Sequence, residues 1–298
     1  MTTDLSQIPR AIQDQLRNME STLALDGTVP LHVAARHLPL EVFAQLTLGA
    51  PEHFPHIQAR LPSMPSDEVQ RNWTGNCGSV LLGQSLSFIR SLLQFHSRIA
   101  GKPIDQCRIL DFGCGWGRLL RLLLKFTPEE KLFGVDPWDQ SIELCRSHGL
   151  KCRLAQSDYL PRTLPVDGRF DVIFSFSVFT HLSMKTARIA LATLRELVSD
   201  TGFLCLTIRP VEYWKTQDSE LCKRMEDTHF ASGFAFHPHG GHEIEGDKTY
   251  GDASMSLECL QSLAVGWKIY GTEWSATDPL QLIVVLAPAR TEPVEMKR

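Results

Sequence analysis

The stretch RILDFGCGWGRLLR, Arg108 to Arg121, sets three glycines between a short apolar run and a leucine-rich one. Ile109 to Phe112 reads as a buried strand of a parallel sheet, and the leucines of GRLLRLLLKF fall on nearly every face of a helix. Gly113, Gly115 and Gly117 therefore occupy a strand-to-helix turn. They can take positive φ and leave bare backbone there, beside the unpaired N–H groups that open the helix. Such a turn cradles a nucleotide-like cofactor.

The dinucleotide fingerprint G-x-G-x-x-G/A needs a small sixth residue, which lets the helix pack on the strand. Here that position is Arg118, and the run is D-x-G-x-G-x-G with Asp111 at the carboxyl end of the strand. The chain at this point resembles the class I S-adenosylmethionine-dependent methyltransferases, whose first motif combines this acid with these three glycines. Further motifs match in order. KLFGVDPW, Lys131 to Trp138, is a second strand ending in an acid, Asp136, that can accept both ribose hydroxyls, each bond worth ~1.5–3 kcal/mol. Pro137 and Trp138 then supply apolar surface where the resemblance places the adenine. KCRLAQSDYLP gives a third strand followed by Ser157, Asp158 and Tyr159, and Asp158 matches the acid that accepts the adenine amino group. FDVIFSFSVFTHL, Phe170 to Leu182, matches the fourth motif and adds Phe176 to the implied cofactor contacts, which include Cys114 within the turn.

After that strand, SMKTARIALATLRELVSD reads as a helix with Ser183 as N-cap and Gly202 as stop, and FLCLTIRP as a fifth strand. A helix near SMSLECLQSLA precedes GWKIYGTEW and LQLIVVLAPA, joined through SATDP as an antiparallel pair. The resemblance spans about Asp105 to Ala289. It implies an α/β, doubly wound, Rossmann-like sheet of seven strands, mostly parallel, with an antiparallel C-terminal strand. Residues 105–298 form this domain, with a lid insertion at about 210–253.

Residues 1–104 read as a helical N-terminal cap. Leu5, Ile8, Ile12, Leu16, Met19 and Leu23 recur at helical steps. The proline-rich span Pro51 to Pro65 reads as a connecting loop, and NWTG as a loop leading into a long helix. That helix carries Leu82, Leu86, Ile89 and Leu93 on one face and ends at Gly101 and Pro103. In many members of the family a segment just before the first strand closes over the methionine end of the cofactor. The resemblance gives that place to Trp73 and Gly75; the alternative is that Trp73 only anchors the cap.

With 298 residues and 43% hydrophobic content, the chain has ample material for a core. No apolar run is long enough to cross a membrane and the N-terminus is too polar for a signal peptide, so a cytoplasmic protein is expected. The eight cysteines are scattered without a C-x-x-C pair and read as reduced thiols. A net charge of −4 without a basic block provides no footprint for nucleic acid or anionic membrane. The oligomeric state is left open.

Methyl transfer requires the acceptor atom to be held in line behind the methyl group, and a hydroxyl acceptor also requires a base. His181, in VFTHLS after the fourth strand, is one candidate base; capping or packing is its alternative role. FAFHPHGGHEIEGDKTYGD, Phe234 to Asp252, supplies His237 and His239 as further catalytic candidates, with His242 and Glu243 nearby. These histidines lack an i, i+4 pair or a familiar zinc spacing, so no metal is assigned and a lid is the preferred role. Tyr213 and Trp214 are suited either to holding a sugar or flat acceptor or to packing, and Cys114 and Cys259 to packing. The motifs of adenine, cytosine and glutamine amino-methyltransferases are absent after the fourth strand. The expected activity is therefore O-methylation of a small molecule, on a hydroxyl of a sugar, glycan or secondary metabolite, with S-adenosylmethionine as cofactor. The alternatives are small-molecule N-methylation and a catalytically silent S-adenosylmethionine-binding scaffold. An NAD-dependent oxidoreductase is disfavoured by Arg118 and the Asp158 motif.

Overall fold

The computed structural model describes residues 9–240 and 243–289; Leu5, Ile8 and His242 lie outside them. The chain divides into two compact bodies. One runs to Asp158 and takes in Ala276–Asp278; the other runs from Tyr159 to Ser275 and resumes at Pro279.

In the first body, α1 (Arg10–Leu25) buries Leu16, Met19 and Leu23, the face its periodicity predicts. The short helices α2 (Leu31–Ala34) and α3 (Leu40–Leu48) each follow a proline. The span expected as a loop contains α4 (Pro55–Arg60). Pro55 opens it, where a missing N–H costs nothing, and the Glu20 carboxylate receives the N–H groups of His56 and Ile57 at 3.0 and 2.9 Å. Asn72, Trp73 and Thr74, also expected in a loop, form the last turn of α5 (Asp67–Thr74). Ser66 caps that helix, acids fill its first turn, and Gly75 ends it with φ 78°. Then comes α6 (Gly78–Ile99), which buries Leu82, Leu86 and Ile89 as expected.

The sheet elements of this body are β1 (Ile109–Phe112), α7 (Arg118–Leu123), β2 (Leu132–Asp136), α8 (Asp139–Ser147) and β3 (Arg153–Gln156). β1 pairs in parallel with β2, and β2 with β3. α7 is buried at every position but its first, which explains its leucine-rich faces, and of its two guanidiniums it carries that of Arg121 inward. Arg121 is 1% exposed and donates to the carbonyls of Trp116 and Ser63, tying the glycine turn to the N-terminal segment.

The second body contains β4 (Phe170–Ser175), α9 (Met184–Leu197) and β5 (Val198–Ile208). Ser183 caps α9 as expected, but the helix stops at Leu197 and Gly202 lies inside β5. A Cβ at Gly202 would stand 2.8 Å from the carbonyl oxygens of Phe170 and Asp171, so the glycine serves close strand approach rather than helix termination. The insertion has secondary structure of its own: a 3-10 turn (Val211–Thr216), α10 (Ser219–Ser232), β6 (Phe234–Pro238), β7 (Glu243–Ile244), β8 (Asp247–Lys248) and β9 (Gly251–Met255). β6 pairs antiparallel with β9, and β7 with β8. Trp214 is fully buried in a small core with Met225 and Ala235, and its Nε1 donates to Ser254 Oγ at 2.7 Å, so of the two roles open to it, packing is the one observed.

The chain closes with α11 (Leu257–Leu263), β10 (Trp267–Trp274) and β11 (Leu282–Pro288). The seven-stranded sheet has the order β10-β11-β5-β4-β1-β2-β3. β11 runs antiparallel to both β5 and β10, the expected C-terminal pair.

Gly117 sets a local limit on this architecture. Its φ is 75°, and a Cβ there would come within 2.5 Å of Leu150 Cδ2 and 3.0 Å of Cys145 Sγ. Gly117→Ala is expected to lower unfolding free energy by about 2–4 kcal/mol, combining left-handed strain with overpacking, as read by urea denaturation.

Candidate active site

In the first body, the glycine turn is shaped from two sides. The N–H groups of Gly113 and Cys114 both donate to the Val135 carbonyl, at 2.8 and 3.0 Å. Gly115 N–H donates to Asp136 Oδ2 at 2.9 Å. Gly115 has φ 52° and open space where a Cβ would stand, a bare cradle of the kind a cofactor needs. Gly117 faces inward, as its close neighbours show, and serves packing. The Cys114 sulfur also turns inward, 3.6 Å from the Gly115 carbonyl.

Asp136 does more than the sequence suggests. Its Oδ1 accepts from Trp138 N–H at 3.0 Å and Ser141 Oγ at 2.9 Å, and Oδ2 accepts from Gly115. Three of about four acceptor positions are therefore filled by the chain, leaving room on Oδ2 for one ligand hydroxyl rather than two. Burial pushes the Asp136 carboxyl up, and these three hydrogen bonds work against that rise. Asp111, 2% exposed at the end of β1, is driven well above the usual carboxylate range by burial, with Cys145 and Asp136 adding and Arg118 opposing.

Ser157 is buried and its N–H donates to the Asp136 carbonyl at 3.0 Å, while the Pro137 carbonyl receives Gln156 Nε2 at 3.0 Å. Trp138 is 40% exposed, and Trp73 stacks on it with ring centroids 4.4 Å apart and planes 21° from parallel. Trp73 thus lies against the residue expected beside the adenine. Gly75, Asp158, Tyr159 and Phe176 remain candidates. Asp158 is exposed at the end of this body; Tyr159 and Phe176 belong to the other and are half-buried.

In the second body, β9 runs along the segment that follows β4. Ala253 N–H donates to the Thr180 carbonyl, Gly251 N–H to the His181 carbonyl, and Ser183 N–H to the Thr249 carbonyl, at 2.9, 2.9 and 3.3 Å. His181 Nδ1 lies 2.7 Å from the Gly251 carbonyl. A carbonyl can only accept, so Nδ1 carries the hydrogen and Nε2 keeps its lone pair. The ring is stacked on Tyr250 at 5.2 Å and 15°. Burial, then the nearby Arg209 charge, brings the His181 pKa down to about 4, against the Gly251 bond and Asp252, which favour the proton.

Asp252 collects the charges around it. Oδ1 accepts from Arg209 Nη1 at 2.6 Å, Oδ2 faces His239 Nε2 at 3.0 Å, and the Tyr213 hydroxyl also hydrogen-bonds the carboxylate. Burial would raise this carboxyl, but the Arg209 bond and charge, with His181 and Tyr213, hold it below its ordinary value. Arg209 lies 3.9 Å over the Tyr213 ring, and burial pushes the Tyr213 hydroxyl up to about 12. Of the three histidines proposed as catalytic, the structure brings His181 and His239 to one carboxylate. His237 stands edge-on to His239 at 6.4 Å. Among the described residues, no group of three or more His, Cys, Asp or Glu side chains is placed to hold a metal ion. Sequence inspection missed Arg209, Tyr250, Gly251 and Asp252; the only local signal was the YGD that ends the histidine-bearing stretch.

A family model for a methyltransferase domain matches residues 109–202, from β1 into β5. Residues 109–202 thus match a methyltransferase domain, set on the sheet order of the class I, S-adenosylmethionine-dependent enzymes. A probable fatty acid methyltransferase of Pseudomonas putida is 39% identical to this chain over 80 residues, which cover 25% of this chain and 20% of that one. A ubiquinone biosynthesis O-methyltransferase of Methylocella silvestris is 28% identical over 133 residues, covering 39% of this chain and 51% of its own. The chain thus spans about half, or less, of the length of these curated relatives. The fold is also that of a magnesium protoporphyrin IX methyltransferase from Synechocystis PCC 6803, solved with bound S-adenosylhomocysteine, at 13% identity and a TM-score of 0.50 over 74% of this chain and 94% of that one. S-adenosylmethionine is the cofactor of this class, and the open Gly115 backbone with the vacant acceptor position on Asp136 fits it.

Asp136→Ala is expected to weaken S-adenosylhomocysteine binding by about 2 kcal/mol, roughly 30-fold, in isothermal titration calorimetry. His181 generates a pH prediction. Its pKa falls from 6.5 to about 4 on folding, so the unfolded chain takes up the proton first as pH drops. Stability is thus unaffected above about pH 6.5 and is lost between there and pH 4, by about 2–3 kcal/mol. Urea denaturation at pH 7.5 and 4.5 should show that loss reduced in His181→Gln.

Proposed function

We propose that this protein transfers the methyl group of S-adenosylmethionine to a hydroxyl of a small molecule, of the sugar, glycan or secondary-metabolite type, with His181 as base. The observation that carries this is the His181 ring. Its Nδ1–H is committed to the Gly251 carbonyl, and burial keeps the ring neutral near pH 7, leaving Nε2 able to take a proton. The acceptor oxygen forms the new O–CH3 bond as its proton passes to Nε2 and the carbon–sulfur bond of the sulfonium breaks, releasing neutral S-adenosylhomocysteine. Alignment of oxygen, carbon and sulfur supplies the larger share, roughly 7–11 kcal/mol of the barrier for well-oriented reactants. A base of low pKa suffices for a proton lost late, as the bond forms.

Cofactor binding is assigned to Trp73, Gly75, Asp111, Gly113, Cys114, Gly115, Gly117, Asp136, Pro137, Trp138, Ser157, Asp158, Tyr159 and Phe176. The insertion of about 210–253 is assigned to the acceptor, with His239 and His237 as contacts. Two relatives named as O-methyltransferases of ubiquinone biosynthesis support oxygen as the atom methylated. The net charge of −4 argues against a nucleic acid acceptor. All eight cysteines are free thiols, which suits a reducing cytoplasm, and among the described residues no helix is long and apolar enough to cross a membrane.

The test is transfer of radiolabelled methyl from S-adenosylmethionine to a panel of sugars, phenols and hydroxy acids, with amines beside them. Label is expected in a hydroxyl acceptor, and His181→Ala should lower turnover by ~10²-fold or more with S-adenosylhomocysteine binding unchanged. Label in amines alone would assign N-methylation. Cofactor binding without transfer to any acceptor would leave a scaffold.

A further inference from the structure

We propose that Asp252 is a positioning residue for His181: with Arg209 it sets the charge beside the imidazole, while the preceding Gly251 fixes its tautomer. This inference rests on the role of His181 as base. The two neighbours act through different atoms. The Gly251 carbonyl receives Nδ1–H at 2.7 Å, and the Asp252 carboxylate stands 3.5 Å from the same nitrogen. Only glycine can deliver that carbonyl. A Cβ at position 251 would lie 2.2 Å from the His237 carbonyl oxygen and 2.7 Å from Pro238 Cα, so any side chain would part β9 from β6.

The groups that face His181 are Arg209 from the end of β5, Asp252 from β9, His239 beyond β6 and the Tyr250 ring. Arg209 and Asp252 are each 14% exposed at the side chain and joined at 2.6 Å. At the imidazole the two act in opposite directions, Arg209 against the proton and Asp252 for it. Removing either one exposes His181 to the full field of the other. Without Asp252, the guanidinium opposes protonation of Nε2; without Arg209, the carboxylate favours it. Tyr213 and His239 complete the coordination of Asp252, so the carboxylate cannot swing toward Nδ1 and replace the carbonyl. The pair thereby keeps Nδ1–H on the backbone and tunes the base at Nε2, with the same nitrogen presented whether the ring is charged or neutral.

The experiment is a histidine NMR titration of the full chain, with His181 assigned from His181→Gln, and needs no acceptor. Wild type is expected to show the Nδ1–H tautomer with a midpoint near 4. In Asp252→Asn the midpoint should fall, leaving His181 neutral to the acid limit of the folded protein. In Arg209→Gln it should rise by at least one pH unit. Gly251→Ala should mix the two tautomers. Opposite shifts in the two charge variants support the assignment. No shift in either, or shifts of the same sign, overturns it, since a merely structural role would not invert with the charge removed. If Asp252→Asn does not fold, Arg209→Gln decides alone, and an unmoved midpoint there overturns the proposal. These outcomes are separate from the methyl-transfer test: a full-activity His181→Ala variant would remove the base while leaving the NMR result intact.

Discussion

The first body is organised around one carboxylate. Asp136 takes a hydrogen bond from Gly115 in the glycine turn and two more from Trp138 and Ser141, where α8 begins. It therefore holds the end of β2, the turn after β1 and the first turn of a helix in one arrangement. Burial favours the neutral acid, but all three donors favour the anion, and a charge-assisted bond is about twice as strong as a neutral one. On its other side the turn is held by a buried cation, since Arg121 reaches both the Trp116 carbonyl and that of Ser63. An anion and a cation with fixed partners let a backbone with three left-handed glycines keep one shape. Preorganisation of that kind reduces the ordering cost of binding a cofactor.

The second body uses the same device for a different end. Its carboxylate, Asp252, joins Arg209 and His239 from elements 43 and 13 residues away in the chain, while the carbonyl just before it reaches back 70 residues to His181. The insertion is consequently a folded arch with its own core around Trp214, docked by backbone bonds along the segment after β4. A flexible lid would be a poor place for the groups that orient a base. A strand paired on both edges, to β6 and to the loop of Thr180 and His181, is a good one, because a side chain on it has little freedom to lose.

What the sequence revealed follows the range of the interactions. β1, β2, β4 and β11 were legible because each is a short apolar run bounded by turn residues, and the glycine turn and Asp136 because their spacing is local. The N-terminal helices were less so. Pro55 and the polar NWTG segment look like loop until Glu20 and Ser66 are seen to cap the helix starts there. Gly202 was misplaced because a glycine after a helical pattern usually marks its end, whereas here the strand beside it demands the missing side chain. Trp73 drew notice as an aromatic near the cofactor, but only the fold shows it lying on Trp138. Arg209, Gly251 and Asp252 left almost no signal, because nothing local marks residues whose partners are tens of positions away.

Orienting His181 by a backbone carbonyl rather than by a carboxylate has a chemical consequence. A carboxylate on Nδ1 would raise the pKa of the imidazole and favour the charged ring, which cannot accept a proton. A carbonyl fixes the same tautomer with a partial charge that does not titrate. The carboxylate is kept one residue further on, at 3.5 Å, where it is shared with Arg209 and balances that cation. The ring therefore stays neutral at physiological pH and still finds a counter-charge close by when Nε2 takes up a proton. The arrangement depends on a glycine at position 251 that belongs to no motif, because only there can two strands approach closely enough to bring the carbonyl to the ring.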